Sequence, residues 1–505
     1  MVFSSPVFIF IFLPVVFILN STVMLIKRKW AIGVSNCLLL AASLFFYAWG
    51  EPVLIFLMLG VTFFCYLSAL FIDFADKKAA AVNEGKSRLK TVVLIVVLAA
   101  ALGILGFYKY SGFVVSTVAS IPGLGLLGGY VPPSVLPLGI SFYTFQILSY
   151  VIDVYRGKAV ANRSFFKVLL YVSLFPQLVA GPIVKYTDIE AQLSSRRLEA
   201  AAVARGVRRF VCGLAKKMII ANTAAVTADG IFALGSAELT GASAWCGALA
   251  YMLQIYFDFS GYSDMAIGLG AMLGFKFNEN FNYPYSAVSV QDFWRRWHIS
   301  VSSWFKEYLY IPLGGNRRGR LRTCINKIVV FFFTGLWHGA NFTFIVWGLW
   351  HGFFLLLEEY VPWLGGNKKQ TDKASGGRGR KAATALRYIY AMLVVLVGFV
   401  IFRADSIRQA CVFIGKMFTD FGNIPSSFGR ALATMDGFTI FVFILGIILS
   451  FPISKWIFAV GEISGGKKGA AVLETLSFLG AVLLFAVCIA VLAQSSYNPF
   501  IYFRF

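Results

Sequence analysis

Apolar runs of about twenty residues, the length that crosses a bilayer as an α-helix, recur throughout this chain. Charged residues make up 13% of its 505 positions, whereas soluble domains average about 25%. Strands with the alternating pattern of a membrane β-barrel are absent from the sequence. The sequence therefore predicts an all-α polytopic membrane protein with roughly 11–13 membrane helices.

The net charge of +22 lies mostly in short loops between the apolar runs. Because cytoplasmic loops are enriched in Lys and Arg, we expect the loops at Lys27-Arg28-Lys29, 73–90 and 365–381 to be cytoplasmic. This layout predicts extracytoplasmic N- and C-termini. It also makes the lipid bilayer, and not a nucleic acid, the expected partner of the basic residues.

Three other segments have their own signatures. The apolar run 165–185 contains two prolines, which predicts a broken, re-entrant or cavity-lining segment. Residues 195–217 carry basic residues at helical spacing, which predicts an amphipathic helix on the cytoplasmic face. Lys467-Lys468 predict another inner loop before the last membrane helix.

All three histidines of the chain, His298, His338 and His351, fall in the window 292–352. Histidine is the usual proton shuttle near neutral pH. No serine or cysteine nucleophile motif accompanies these residues, so a histidine here is best suited to act as a general base on a bound hydroxyl. We therefore take 292–352 as the catalytic window.

Each histidine also has a structural interpretation. His338 could pack against a backbone carbonyl, and His298 follows a Trp- and Arg-rich run typical of an interfacial anchor. His351 would lie off the face of His338 if one helix continued between them. No metal site is predicted, because the histidine spacing and the seven scattered cysteines match no common zinc motif.

Asp258 and Asp264 are carboxylates inside an apolar stretch. Ionisable groups at membrane depth are candidates for function. Their spacing of six residues does not place them on one helix face. Pairing with an Arg or Lys of a neighbouring helix is the favoured interpretation.

Several motifs resemble the membrane-bound O-acyltransferase (MBOAT) family, in its bacterial polysaccharide O-acetyltransferase branch. The matching stretches are 137–146, 175–182, 258–268, 282–284, 292–300, 312–316, 334–341 and 402–404. The resemblance implies one MBOAT domain over residues 1–493, with membrane helices around a central funnel or tunnel. It assigns His338 to the family's invariant histidine and His298 to its second active-site position. The candidate substrate-binding or tunnel-lining residues are Trp337, Asn341, Trp297, Asp258 and Asp264.

The C-terminal tail, 494–505, ends in an F-x-Y-x-x-F motif formed by Phe500, Tyr502 and Phe505. It resembles the motif of a small protein that accompanies the teichoic-acid D-alanylation MBOAT, whose tyrosine is proposed to carry the acyl group. The resemblance makes Tyr502 a catalytic candidate. An aromatic anchor at the membrane surface is the alternative.

The resemblance implies transfer of an acetyl group from a cytoplasmic thioester, with acetyl-CoA as co-substrate and no permanently bound cofactor. The chain itself would lie in the bacterial cytoplasmic (inner) membrane, and a periplasmic O-acetyltransferase partner would then modify a cell-surface or secreted polysaccharide. Two alternatives stay open: D-alanyl or other acyl transfer from a carrier protein, and non-covalent transport of an acyl donor or precursor. Alginate, cellulose and peptidoglycan all remain candidate polysaccharides.

Overall fold

The structure is a computed structural model that describes residues 1–26, 28–81, 88–122, 136–365, 377–420 and 435–494. Every regular element in these ranges is a helix, and they contain no strand. The predicted all-α class is confirmed.

The chain divides into two compact units. The N-terminal unit comprises Met1–Phe210 and Asp264–Asn278, and the C-terminal unit comprises Val211–Ser263 and Glu279–Phe505. Each is described by itself below, and the single membrane domain expected over residues 1–493 stays a prediction.

The N-terminal unit surrounds one helix that is buried along almost its whole length. The helices are α1 Phe8–Leu25, α2 Lys29–Ala48, α3 Ile55–Ala81, α4 Arg88–Ala119, α5 Ile140–Tyr155, α6 Phe165–Ser173, α7 Phe175–Leu178, α8 Tyr186–Ser194 and the first part of α9, Ala200–Ala215. Residues 140–154 of α5 are all buried, as expected of a helix with apolar or aromatic residues on every side.

The predicted break in 165–185 is confirmed. Helix α6 ends at Ser173, Leu174 leaves the helical conformation, and the short helix α7 begins at Phe175. The backbone N–H of Phe175 donates to Ser43 Oγ at 3.1 Å. The non-helical backbone therefore lies inside protein, where its polar groups find partners.

The predicted amphipathic helix over 195–217 needs a correction. The helix begins only at Ala200, and it continues through the π-helical turn Lys216–Ala221 into α10, Asn222–Phe232. Arg196 precedes it and is buried, with its guanidinium bonded to Asn36 Oδ1 at 2.6 Å and to Ser35 Oγ at 2.5 Å. Burial lowers the pKa of Arg196 to about 10, so the side chain stays charged at neutral pH.

The C-terminal unit has an aromatic core. Its helices after α10 are α11 Gly241–Met272 (whose last turns belong to the N-terminal unit), α12 Val290–Arg296, α13 Ile299–Phe305, α14 Arg320–His338, α15 Phe342–Tyr360, α16 Gly377–Arg403, α17 Ile407–Thr419, α18 Gly437–Leu449 and α19 Ile453–Gln494. The core joins Tyr256 of α11, Phe293 of α12, Trp347 of α15 and Phe399 of α16.

Helices α14 and α15 run antiparallel and cross at glycines. A Cβ on Gly335 would lie 2.3 Å from the carbonyl oxygen of Phe344, and one on Gly348 would lie 2.2 Å from that of Phe331. Only glycine allows so close an approach of two backbones, a common device in membrane helix pairs.

Eight helical segments in the described residues are long and apolar enough to cross a membrane. They are Phe8–Leu25, Lys29–Ala48, Ile55–Ala79, Arg88–Ala119, Ala200–Phe232, Phe342–Tyr360, Lys381–Arg403 and Val472–Gln494. The other predicted crossings fall on the shorter or more polar helices α5, α11, α14 and α18. The prediction of a loop at Lys467-Lys468 is wrong, because α19 is continuous there, and the inner position of these lysines stays a prediction. Lysine is itself a good helix former.

Candidate active site around two buried histidines

The Trp-His-Gly-Ala-Asn sequence forms the turn between α14 and α15. His338 is the last residue of α14, and Gly339 takes an extended conformation that ends the helix. The Oδ1 atom of Asn341 then accepts the N–H of Thr343 at 3.1 Å, which caps the start of α15.

His338 is enclosed by aromatic rings. Its imidazole lies 4.9 Å from the ring of Trp337, 4.9 Å from that of Trp347 and 5.1 Å from that of Phe402, between ring centroids. Only 5% of the residue is exposed. Proton transfer in so dry a setting is governed by the groups around it, because little water is present to screen charge.

His298 sits at the junction of α12 and α13 in a left-handed backbone conformation, with φ at 42°. Such a conformation is strained for a residue other than glycine, and strained residues cluster at functional sites. Two backbone hydrogen bonds hold the junction. The N–H of Ile299 donates to the backbone carbonyl oxygen of Asn280 at 2.9 Å, and the N–H of Asn282 donates to that of Arg296 at 2.9 Å.

The tautomer of His298 follows from its neighbour Asn280. The backbone N–H of Ser300 donates to Oδ1 of Asn280 at 3.2 Å, so this atom must be the amide oxygen. His298 Nδ1 lies 3.1 Å from the same oxygen. Because an amide oxygen can only accept, Nδ1 carries the proton and Nε2 carries the lone pair.

Burial also keeps His298 neutral. Loss of hydration lowers the pKa of His298 to about 3, since a charged imidazolium is disfavoured away from water. His298 lies outside the eight candidate membrane spans. At neutral pH it is therefore an uncharged ring that can accept a hydrogen bond or a proton at Nε2.

The structure brings the two predicted histidines to one place. The ring of Trp337 lies 5.9 Å from that of His298 and 4.9 Å from that of His338. Phe259 approaches His298 edge-on at 4.5 Å. The indole of Trp337 thus contacts both imidazoles, and its substrate-binding or tunnel-lining role stays a prediction.

Trp297 and Asn341 lie near the two histidines but have structural contacts. Trp297 is buried at the end of α12, stacked on Phe293 at 5.4 Å and 5.3 Å from Phe399. Asn341 caps α15 and also donates from Nδ2 to the carbonyl oxygen of Asp405 at 3.0 Å. A substrate-binding or tunnel-lining role for either residue stays a prediction.

The two carboxylates in the apolar stretch of α11 are ion-paired with basic residues of a neighbouring helix, which confirms the favoured interpretation. In the C-terminal unit, Lys217 Nζ lies 2.7 Å from Asp258 Oδ1, and both side chains are almost fully buried. In the N-terminal unit, Arg209 Nη2 lies 2.8 Å from Asp264 Oδ1. Pairing offsets part of the large cost of burying each charge.

Phe500, Tyr502 and Phe505 lie outside the described residues. Within the described residues, no group of three or more His, Cys, Asp or Glu side chains could hold a metal ion.

His351 belongs to the same aromatic cluster, which the sequence did not predict. Its ring lies 5.2 Å from that of Trp347 and 5.2 Å from that of Trp294. The expectation that it faces away from His338 assumed one continuous helix, and the break at Gly339 removes that assumption. Because Trp347 contacts both His338 and His351, all three histidines share one shell of rings.

In the part of the chain that the structure describes, a helical membrane protein holds two buried histidines against one indole, a setting suited to a general base acting on a bound hydroxyl. Residues 159–364 match the model of the membrane-bound O-acyltransferase family. The "Probable alginate O-acetylase AlgI" of Pseudomonas putida is 38% identical over 519 residues, which cover 100% of both chains. This chain belongs to the membrane-bound O-acyltransferase family.

Two further relatives are named for other activities. The peptidoglycan O-acetyltransferase of Helicobacter pylori is 38% identical over 388 residues, covering 70% of each chain. The teichoic acid D-alanyltransferase of Bacillus subtilis is 27% identical over 233 residues, covering 42% of this chain and 55% of its own. Together with the eight candidate membrane helices found in the described residues, these similarities make the chain a multi-pass membrane O-acetyltransferase.

Proposed function

We propose that this protein takes an acetyl group from acetyl-CoA on the cytoplasmic side of a bacterial inner membrane and transfers it to Tyr502 on the outer side. The acetyl group then serves the O-acetylation of a cell-surface or secreted polysaccharide. The observation that carries this proposal is that the buried ring of Trp337 lies against both His298 and His338. Full-length similarity to an alginate O-acetylase supports the acetyl group and the polysaccharide.

The transfer step needs one base. As the phenolic oxygen of Tyr502 attacks the thioester carbonyl, His338 takes the phenolic proton. The C–S bond breaks, and the proton passes from His338 to the departing thiolate, so the products are an acetyl-tyrosine ester and free coenzyme A. His298, neutral and oriented by Asn280, would accept a hydrogen bond at Nε2 from the reacting hydroxyl.

A tyrosyl ester suits a carrier role. The pKa of a phenol, about 10, is close to that of a thiol, about 8.5, so the ester keeps much of the transfer potential of the thioester. A periplasmic O-acetyltransferase partner would move the acetyl group to a sugar hydroxyl and return Tyr502 to its free form. The specificity for one polysaccharide would then reside in that partner.

Two other functions have less support. D-alanyl transfer from a carrier protein is favoured by similarity to a teichoic acid D-alanyltransferase, but that relative matches only 42% of this chain. Here the F-x-Y-x-x-F motif is also part of the same chain. Non-covalent transport has no support among the relatives described above, which are all named for acyl transfer.

The decisive experiment is the mass of the C-terminal peptide after purified protein is incubated with acetyl-CoA. Wild type should gain one acetyl group on Tyr502, whereas His338→Ala and Tyr502→Phe should gain none. Tyr497→Phe is the matched control, because it removes the other tail tyrosine and should keep the adduct. General base removal typically costs about 10²–10⁴-fold in rate, so the loss in His338→Ala should be unambiguous.

Three results would contradict the proposal. An adduct that persists in Tyr502→Phe would place the acetyl group elsewhere. Hydrolysis of acetyl-CoA that depends on His338 but leaves the tail unmodified would keep the base and exclude the tyrosyl carrier. If neither adduct nor turnover occurs with acetyl-CoA, a D-alanyl carrier-protein thioester becomes the favoured donor.

A further inference from the structure

The short helix α12 is capped by a carboxylate from another helix. The first backbone N–H groups of any helix lack partners within it. In α12, Ser289 Oγ accepts the N–H of Asp292 at 3.0 Å. The carboxylate of Glu358, on α15, accepts two more: the N–H of Val290 at 2.5 Å and that of Gln291 at 2.9 Å. The partial negative charge of the carboxyl oxygens also matches the helix dipole at this end.

Glu358 shares one face of α15 with two residues of the aromatic shell. His351 and Glu358 are seven residues apart, which is about two helical turns, and Trp347 lies one turn before His351. Trp347 and His351 both contact Trp294 of α12, at 5.7 and 5.2 Å between ring centroids. Residues on one face of α15 therefore contact α12 at two places. Glu358 binds the N-terminus of α12, and Trp347 and His351 pack against its side at Trp294.

The same face reaches His338, because Trp347 contacts that ring at 4.9 Å. At its other end, α12 leads through Trp297 directly into His298. The position of α12 along α15 therefore sets where His298 lies relative to Trp337 and His338. With seven residues, α12 is too short to hold its own position without such anchors.

We infer that Glu358 is a positioning residue for the acyl-transfer site: its two-oxygen cap fixes the register of α12 and thereby holds His298 against Trp337. This inference rests on the proposed function for its kinetic consequence, but not for its structural one. Glu358 is 5% exposed, and its two carboxylate oxygens accept backbone N–H groups of α12. Its contribution is made through the backbone of Val290 and Gln291.

The chain offers a closely matched control. Glu359 is the next residue, is 41% exposed and pairs with Lys327 of α14. Glu358→Gln keeps the length of the side chain but replaces one accepting oxygen with an NH₂ group, which would face a backbone N–H. Glu359→Gln makes the same chemical change on the outer side of the same helical turn.

The kinetic test compares both variants with wild type, using acetyl-CoA as donor. Glu358→Gln should lower kcat by about tenfold to a hundredfold with the KM for acetyl-CoA unchanged, since a misplaced catalytic group costs rate more than binding. Glu359→Gln should leave both constants at the wild-type values. Equal values for the two variants would overturn the inference.

A structural test does not depend on turnover. Because the chain has three histidines, protein labelled with ¹⁵N-histidine gives three sets of imidazole signals. His298→Gln and His351→Gln identify which set belongs to which residue. The set from His298 should shift in Glu358→Gln and stay in place in Glu359→Gln. An unshifted His298 set would overturn the inference even if the proposed donor were wrong.

If Glu358→Gln does not yield folded protein, Glu358→Asp serves instead. The shorter carboxylate keeps the charge but cannot reach both N–H groups from the same backbone position. We expect a smaller shift of the His298 signals and a smaller loss of kcat. A loss of kcat without any shift of the His298 signals would show that Glu358 acts by another route, which would also overturn the inference.

Discussion

At the scale of single residues, Asn280 determines the chemistry available to His298. Its amide oxygen accepts from the Ser300 N–H, from Ser300 Oγ at 2.9 Å and from His298 Nδ1. Because this oxygen can only accept, His298 must carry its proton on Nδ1, which leaves it a single tautomer. A histidine whose ring can flip would present either nitrogen to the substrate, whereas this one presents Nε2.

Replacing Asn280 should therefore show how much the orientation of the His298 ring contributes to the rate of transfer. Asn280→Ala should lower kcat by about tenfold to a hundredfold, because an orienting hydrogen bond in a buried site is worth about 1–3 kcal/mol. Asn280→Asp should keep most of the activity, since a carboxylate accepts the same three donors. Rates of coenzyme A release by the purified variants measure both effects.

The opposite ranking would contradict this role of Asn280. If Asn280→Ala were as active as wild type, the tautomer of His298 would not matter to transfer. If Asn280→Asp were as impaired as Asn280→Ala, the amide group itself would be required.

The buried, neutral state of His298 also predicts how stability depends on pH. Its pKa in the folded state is about 3, below the value of about 6.5 expected in the unfolded chain. Below pH 6.5 the unfolded state therefore binds the extra proton, and stability falls as pH falls, until about pH 3. By pH 5.5 the loss should be about 1.4 kcal/mol.

Thermal unfolding in detergent at pH 7.5 and pH 5.5 tests this. The apparent melting temperature of wild type should drop more than that of His298→Asn, whose amide cannot titrate but can still donate to Asn280. Carboxylates titrate equally in both proteins, so the difference isolates His298. Equal drops would mean that His298 is charged, or accessible to water, in the folded protein.

Sequence alone was enough to find His298 and His338, because histidine is rare in this chain and each lies in a distinctive motif. It was not enough to find the residues that orient them. Asn280 is 18 residues from His298 in sequence, and Glu358 reaches across 68 residues to Val290. Neither belongs to a local pattern, so only the fold shows the contact.

At the scale of elements, the antiparallel pairing of α14 and α15 builds the site. The break at Gly339 turns the chain so that Trp347 returns to His338. Glycines at the crossing set how close the two helices come. The sequence indicated two apolar runs here but not their spacing, because the tolerance for a Cβ depends on the opposite backbone.

Gly348→Ala should therefore destabilise the protein and lower transfer. The added Cβ would lie 2.2 Å from the Phe331 carbonyl oxygen, and such overpacking costs about 1–3 kcal/mol. Separating the helices would also move Trp347 away from His338. Melting temperature in detergent and the rate of acetyl transfer should both fall.

Gly103→Ala in α4 is the matched control. An added Cβ there meets nothing within 4 Å, and alanine is a better helix former than glycine. This variant should be as stable as wild type or slightly more so. Similar losses in both variants would mean that glycine content, and not the crossing, limits stability.

At the scale of the whole molecule, the distribution of charge predicts how the chain crosses the membrane. The apolar runs and the break in 165–185 were predictable, because length and proline decide them. The burial of Arg196 was not, since its partners Asn36 and Ser35 lie 160 and 161 residues away. A basic residue in an apolar run predicts a position at the membrane surface, but polar partners that are distant in sequence can bury it instead.

The orientation has a direct consequence for Tyr502. The segment 365–381 contains six Lys and Arg residues, which predicts a cytoplasmic position. Val472–Gln494 is one of the eight candidate spans in the described residues and precedes the tail. An even number of crossings would place both termini on one side, and the basic triplet after α1 predicts that this side is extracytoplasmic.

Single reporter cysteines test this orientation in a background that lacks the seven native ones. Ser496→Cys, in the tail, should react with a membrane-impermeant thiol reagent in intact spheroplasts. Ser375→Cys, in the basic segment, should react only after lysis. The background must retain acetyl transfer to be informative. Reaction of the tail cysteine only after lysis would put Tyr502 on the same side as the donor. The proposal that this tyrosine receives the acetyl group on the outer side of the membrane would then be wrong.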